Sequence, residues 1–370
     1  MTVPFVDLKK QYQSIQPEID KAIQSVIDNT AFVGGPYVKA FEKEFAEKMG
    51  MRHCIGVANG TDAIYIVLKM LGIGEGDEVI TVANSWISTS ETITQAGAKP
   101  VFVDVDEYFT IDVRQIEGKI TSKTKAIIPV HIYGQPADLD ALNKICKARN
   151  LILIEDCAQA HFSEYRGQYT GTFGRASTFS FYPGKNLGAY GDAGCIMTND
   201  DSLAEKCRMY ANHGALKKHH HLIEGINSRI DSLHASILSA KLKHLSHWNG
   251  LRGLHARRYT NSLQGINEIT LPKERIKSVH TYHLYVIKTK RRDELKAHLE
   301  QAGIETSIHY PTALPLLPCY QYLGHSSGDF PVAHANQQEI LSLPMFPELT
   351  NEQIEFVSES IRTFYPLYGA

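Results

Sequence analysis

Short apolar runs and stretches of helical periodicity alternate along the first two thirds of the chain. Pro17 opens a helix whose apolar positions Ile15, Ile19, Ile23, Val26 and Ile27 recur at helical spacing. Tyr37 to Met49 form a second amphipathic helix through Val38, Phe41 and Phe45. A short strand ending at Val57 feeds an apolar helix that reaches Leu71. Glu78–Val82, Pro100–Asp104, Ala126–His131, Leu151–Ile154 and Thr178–Phe181 read as further strands, with helical segments between most of them. That alternation predicts an α/β fold, a mainly parallel sheet wrapped by helices. Pro183 and Gly184 break the last of these strands, and Gly188, Gly191 and Gly194 keep the segment behind it from forming a regular element.

An apolar helix over Leu233–Leu242 closes this part. From about Ser246 the pattern changes to a long helical stretch through Trp248, Leu251, Leu254 and Tyr259. A β-α-β-like tail follows, with strand Tyr282–Ile287, helix Arg292–Ala302 and strand Glu305–His309. The expected organisation is a large domain over residues 1–245 and a smaller C-terminal α/β domain over 246–370. A length of 370 residues, long for one hydrophobic core, agrees with two units.

Composition removes several functions. With 43% hydrophobic and 21% charged residues the chain is an ordinary globular protein. A formal net charge of −2, without a basic block, gives no footprint for nucleic acid. No apolar run is long enough to span a bilayer, and Met1-Thr-Val-Pro-Phe-Val-Asp7 is not a signal peptide. The six cysteines are scattered and form no C-x-x-C pair, which predicts reduced thiols and a cytoplasmic protein.

Candidate chemistry gathers in two stretches. Lys185 lies in the turn that ends the Thr178–Phe181 strand. It reads either as a solvated loop lysine or as a nucleophile. Its glycine-lined surroundings let backbone approach a ligand closely, and partial desolvation lowers an amine below its reference pKa of about 10.4. A lowered pKa is what an amine needs to attack a carbonyl and form a Schiff base. Just upstream, Leu151-Ile-Leu-Ile-Glu-Asp156-Cys-Ala-Gln159-Ala-His161 is a buried strand with carboxylates at its carboxyl end, where α/β sheets place ligand groups. Asp156 fits a loop carboxylate, a helix cap, or the acidic partner of a pyridine nitrogen.

Elsewhere the residues leave two readings each. Gly60 and Thr61 open the helix after Val57, as a plain N-cap or as an anion site made of bare amides. Trp86 is either core or a ring-stacking residue. Asn227 and Arg229 fit a helix cap and a surface arginine. Asn212–His221 carries four histidines, three of them consecutive. Adjacent histidines do not converge on one ion in a strand or a helix, so a solvated loop, not a metal site, is expected there.

Glu155-Asp156-Cys157-Ala158-Gln159-Ala160-His161, followed by Ser180-Phe181-Tyr182-Pro183-Gly184-Lys185, resembles the sugar aminotransferases of the DegT-type family, which use pyridoxal 5'-phosphate (PLP) on fold type I. The likeness runs over essentially the whole chain. It implies that Lys185 carries PLP and moves the proton, and that Asp156 keeps the pyridine nitrogen protonated. It implies further that Gln159 bonds the ring hydroxyl oxygen and that Trp86 covers one ring face. Gly60, Thr61 and Ser180 then bind the phosphate, with Asn227 reaching across a homodimer from the other subunit. Arg229 and the Ile308-His309-Tyr310-Pro311 segment, with His309 and Tyr310, fall on the substrate side. Thr312-Ala313-Leu314-Pro315 departs from the family's P-x-P-x-H.

The implied reaction passes nitrogen from glutamate to a nucleotide-linked keto sugar. Asn227-Ser228-Arg229 matches the N-S-R found in members acting at a 3-keto carbon, against N-Y-R for 4-keto members. The expected substrate is therefore a dTDP-3-keto-6-deoxyhexose. The competing readings are a 4-keto sugar aminotransferase and a PLP-binding regulatory protein without catalysis. Lys185 counts against the sugar dehydratases of this fold, which carry a histidine in its place.

Overall fold

The structure, a computed structural model, describes residues 1–365. Seven strands form its main sheet: β1 (His53–Val57), β2 (Glu78–Val82), β3 (Lys99–Val103), β4 (Thr124–Ile128), β5 (Ile152–Asp156), β6 (Ala176–Ser180) and β7 (Gly194–Thr198). Their order is β1-β7-β6-β5-β4-β2-β3. Every neighbouring pair is parallel except those made by β7, which runs antiparallel to both β1 and β6. The sequence reading missed β7 and expected irregular chain there. Its glycine, Gly194, begins a strand instead, fully buried between two partners that satisfy its backbone.

The strands read as continuous apolar runs because both faces are covered. In β7, Cys195 and Met197 pack on one side with Phe41, Phe45 and Phe179, whereas Ile196 packs on the other with Ile64, Val67 and Ile128. Helix Gly35–Met49 supplies Phe41 and Phe45, both fully buried, and Phe45 meets Phe179 and Phe181 edge to face with ring centroids 5.3 and 5.6 Å apart. Burying each such ring contributes about 1.5–3 kcal/mol. On the other face, helix Gly60–Met70 buries Ala63, Ile64, Ile66, Val67 and Leu68.

Beyond Leu245 the chain adds a further core cluster, joined by Val3, while Leu284, Val286, Leu314 and Phe330 pack into the cluster around Ile80, Phe102 and Val103. Helix Leu245–Leu263 packs with helices Arg292–Gln301 and Asn351–Phe364 around Tyr259, Leu295, Leu299 and Val357. The tail is not the β-α-β unit expected. Tyr285–Lys288 pairs antiparallel with Ile340–Leu343, and Glu305–His309 is no strand, making one bridge at Ser307↔Ser342. A short helix, Leu8–Ser14, also precedes the one opened by Pro17, which spans Gln16–Asp28. The histidine-rich stretch is a small exposed hairpin, Ala215–Lys217 against His220–His221, in place of a loop.

Candidate active site

The parallel strands bring their carboxyl ends to one edge of the sheet, and the site lies there. Asp156 is the last residue of β5 and Ser180 the last of β6. Across β7, Gly194 pairs with Ser180 on one side and Val57 on the other. The chain leaving Val57 therefore turns into helix Gly60–Met70 directly beside Ser180. Asn59 caps that helix, its side chain accepting from the Asp62 amide at 2.7 Å. Only glycines fit this crossing. A Cβ on Gly194 would stand 2.5 Å from the Asn59 carbonyl carbon, and one on Gly60 would stand 2.8 Å from Ser180 Cβ.

A cavity of about 620 Å³ opens at this edge, lined by Gly60, Thr61, Trp86, Asp156, Gln159, Ser180, Lys185, His309 and Tyr310 among others. The fold thus gathers nine of the eleven residues singled out in the sequence. Asn227 and Arg229 stand apart from it. Asn227 is exposed and bridges Asn212, and Arg229 donates to the Asn212 side chain at 2.9 Å. Ser228 between them is fully buried and its hydroxyl accepts from the Ala58 amide at 3.2 Å.

Asp156 is almost sealed off, and burial pushes its carboxyl upward. The Ala158 amide at 3.1 Å and the Thr89 hydroxyl at 2.8 Å oppose that by donating to it. Lys185 is pushed down to about 8 by burial, with Asp156 pulling it back up. Its amine makes no hydrogen bond among the described residues and opens on the cavity, where water screens part of the effect. Gln159 is held from both ends: its carbonyl oxygen accepts from the Tyr133 amide at 2.7 Å, and its amide donates to the Tyr310 hydroxyl at 3.0 Å. Trp86 is 58% exposed at the cavity, its ring centroid 5.7 Å from that of Tyr310.

Three groups escaped the sequence reading. Lys241, buried on helix Ser232–Leu242, donates to the Gly188 carbonyl at 2.7 Å and so holds the loop behind Lys185. His283 lines the cavity, and its tautomer follows from its neighbours. The Asn186 amide nitrogen donates to the Thr281 carbonyl at 3.1 Å, which turns its oxygen toward His283 Nδ1, 3.2 Å away. Nδ1 therefore carries the proton and Nε2 is an acceptor. Burial keeps this ring well below the ordinary imidazole range. Phe5, at the far N-terminus, also lines the cavity. No local sequence signal marks any of the three, since each arrives through tertiary packing.

Beneath the site, His131, Glu155 and Cys157 cluster closely enough to hold a metal ion. Their hydrogen bonds show a structural knot instead. The Ala137 amide donates to His131 Nδ1 at 3.0 Å, so Nε2 bears the proton that goes to Glu155 at 3.0 Å. The Gly171, Phe173 and Gly174 amides complete that carboxylate. Burial also pushes the Cys157 thiol well up, which keeps it protonated.

An α/β sheet that presents a lysine, a buried carboxylate and a helix N-terminus in one cavity fits the site of a cofactor-dependent transferase. Residues 13–362 match the DegT/DnrJ/EryC1/StrS aminotransferase family, and the chain belongs to that family of enzymes. It is 47% identical to a pleiotropic regulatory protein of Geobacillus stearothermophilus, over 99% of each chain. It is 41% identical to the dTDP-3-amino-3,4,6-trideoxy-alpha-D-glucose transaminase of Streptomyces venezuelae, over 97% of this chain and 95% of that one. The crystal structure of S. venezuelae DesV in complex with a ketimine intermediate superposes with a TM-score of 0.97, at 40% identity and full coverage of both chains. NtdA from Bacillus subtilis, solved with bound cofactor PMP, gives 0.91 at 32% identity, over 98% of this chain and 85% of that one.

Proposed function

We propose that this protein is a PLP-dependent nucleotide-sugar aminotransferase that takes nitrogen from glutamate and delivers it to C3 of a dTDP-linked 3-keto-6-deoxyhexose. The observation that carries the reading is Lys185 and Asp156 in one cavity with the N-terminus of helix Gly60–Met70.

The residues present fit PLP. The cradle between Gly60 and Ser180, which a Cβ would fill, suits a phosphate at a helix N-terminus. Gly60, Thr61 and Ser180 would hold it there, and the family resemblance adds Asn227 from a second subunit, a role compatible with its exposure outside its own chain's cavity. Asp156 would face the pyridine nitrogen and keep its proton in place. Gln159, fixed by Tyr133 and Tyr310, keeps one amide proton for the ring hydroxyl oxygen. Trp86 would cover one face of the ring. When bound, PLP supplies an electron sink for the charge that develops on the substrate carbon.

Lys185 Nζ would anchor the cofactor covalently and, once displaced by the amino donor, take and return the proton of the reacting carbon. A value near 8 leaves part of that amine neutral at physiological pH, as both tasks require. His309 is pushed down to about 4 by burial and is held by Ser342 at 2.9 Å, so it meets the substrate as a neutral ring.

Attack at C3 is supported by the N-S-R sequence at 227–229 and by the 3-amino sugar in the name of the Streptomyces relative. Since Ser228 is buried under Ala58, it acts by setting where Asn227 and Arg229 emerge, not by touching its own chain's cavity. The name of the 47% relative favours a second reading, a regulatory protein that binds PLP without transferring nitrogen. The experiment that separates them is a screen of dTDP-, UDP- and GDP-linked 3- and 4-keto sugars with glutamate, following amino-sugar product. Product from a dTDP-linked 3-keto-6-deoxyhexose is expected, with much less from its 4-keto isomer. The reverse order removes the C3 assignment, and no product from any sugar favours the regulatory reading.

A further inference from the structure

The N-terminal segment is strapped onto the cluster around Tyr259 and Leu295 and passes the cavity at Phe5 and Val6. Val3 is fully buried, donates to the Gly303 carbonyl and accepts from the Glu305 amide, both at 2.9 Å. The Glu305 carboxylate then accepts from the Phe5 amide at 2.9 Å. Beyond Phe5, Asp7 caps helix Leu8–Ser14, and Lys10 donates to the Glu348 carbonyl at 2.9 Å. These bonds, at Val3 and Lys10 on either side and at the Phe5 amide itself, leave Phe5 little freedom. Its ring stacks on His309, with centroids 5.6 Å apart and planes at 24°.

We propose that Phe5, delivered by this strap, is a specificity-determining residue that packs against the sugar ring of the substrate. This deepens the functional reading above and rests on it. Phe5, Val6, Trp86, Leu284 and Met345 give the cavity an apolar wall, and apart from Lys185 its lining contains no lysine or arginine. The carboxylates of glutamate must then be met by Lys185 or by Arg229 of a second subunit, so charge alone does not choose the sugar. A sugar with a methyl group and C–H faces instead buries apolar surface against the wall. The strap therefore favours a deoxysugar through apolar packing. Phe5 also fixes the plane of His309, whose other tether is Ser342.

The test compares wild type with Phe5→Ala and with Glu305→Ala, which releases the strap but keeps the ring. Holoenzyme is assayed with 2-oxoglutarate and a panel of dTDP- and UDP-linked amino sugars, including a 3-amino-3,6-dideoxyhexose and a 3-amino hexuronate. For Phe5→Ala the KM for the deoxysugar is expected to rise about tenfold, while that for 2-oxoglutarate moves less than twofold and the preference over the hexuronate shrinks. Glu305→Ala should shift the same constants by a smaller factor. Thermal melting shows whether either variant is unfolded. Equal loss toward both substrates, or an unchanged deoxysugar KM in a folded Phe5→Ala protein, overturns the proposal alone. Wild-type inactivity with every sugar overturns the functional reading, and this inference with it.

Discussion

The hydroxyl of Thr89 donates to Asp156 at 2.8 Å, and both side chains are buried. Thr89 lies on helix Ser88–Gln95 and Asp156 at the end of a strand 67 positions later, so the bond locks a helix to the cavity edge of the sheet. It also offsets the burial that pushes the carboxyl upward. Thr89→Val removes that donor while keeping the shape. A hydrogen bond to a charged group is worth roughly 1.5–3 kcal/mol. Turnover should fall about ten- to a hundredfold. Asp156→Asn, which cannot hold a pyridinium proton, should fall further with the fold intact by circular dichroism. Near-normal rates in Asp156→Asn leave this carboxylate only a structural part.

Lys185 gives a pH signature independent of turnover. Burial lowers its pKa to about 8, so the amine is charged below that value and neutral above it. The rate at which apo protein captures PLP covalently should rise with pH, reach half its maximum near 8 and level off above that, well short of the midpoint near 10.4 for a free lysine. Reduction with borohydride should place the adduct on Lys185 by peptide mapping. Lys185→Ala should still bind PLP through the phosphate cradle but lose transamination. An adduct on another lysine removes the assignment.

Gly194 tests the cradle itself. The Cβ of Gly194→Ala would lie 2.5–2.7 Å from Asn59 and Gly60 backbone atoms, which must then move. Overpacking of this kind costs about 1–3 kcal/mol. Here the displaced atoms include the Gly60 amide nitrogen, so affinity for PLP should drop at least tenfold by titration of the apo protein. An unchanged affinity would separate the helix N-terminus from the phosphate.

Asn227 bears on assembly. If it serves the neighbouring subunit, Lys185→Ala and Asn227→Asp homodimers are both poor enzymes, the second because two anions meet at the phosphate. Mixed and allowed to exchange, they form heterodimers with one site that keeps Lys185 from one chain and Asn227 from the other. Up to half of wild-type activity per heterodimer should return. No recovery after proven exchange places Asn227 in its own chain's service.

Much of this was legible in sequence because it is local. Apolar runs and helical periodicity mark β2 to β6 and helix Gly35–Met49, since each element's pattern is set by its own two faces. Lys185 and the Gly60-Thr61 pair stand beside glycines that permit close backbone approach, and Asp156 stands at the carboxyl end of an apolar strand. What sequence could not decide depends on partners far along the chain. Gly194 looks like a breaker until β1 and β6 pair with it on both sides. Glu305–His309 looks like a strand, but the Ile340–Leu343 segment occupies the place beside Tyr285–Lys288. His283 becomes an acceptor only because Thr281 orients Asn186, and Phe5 reaches the cavity only because Gly303 and Glu305 grip Val3. Periodicity records which face of an element is buried. It carries no record of which distant group buries it, and that was settled by tertiary packing.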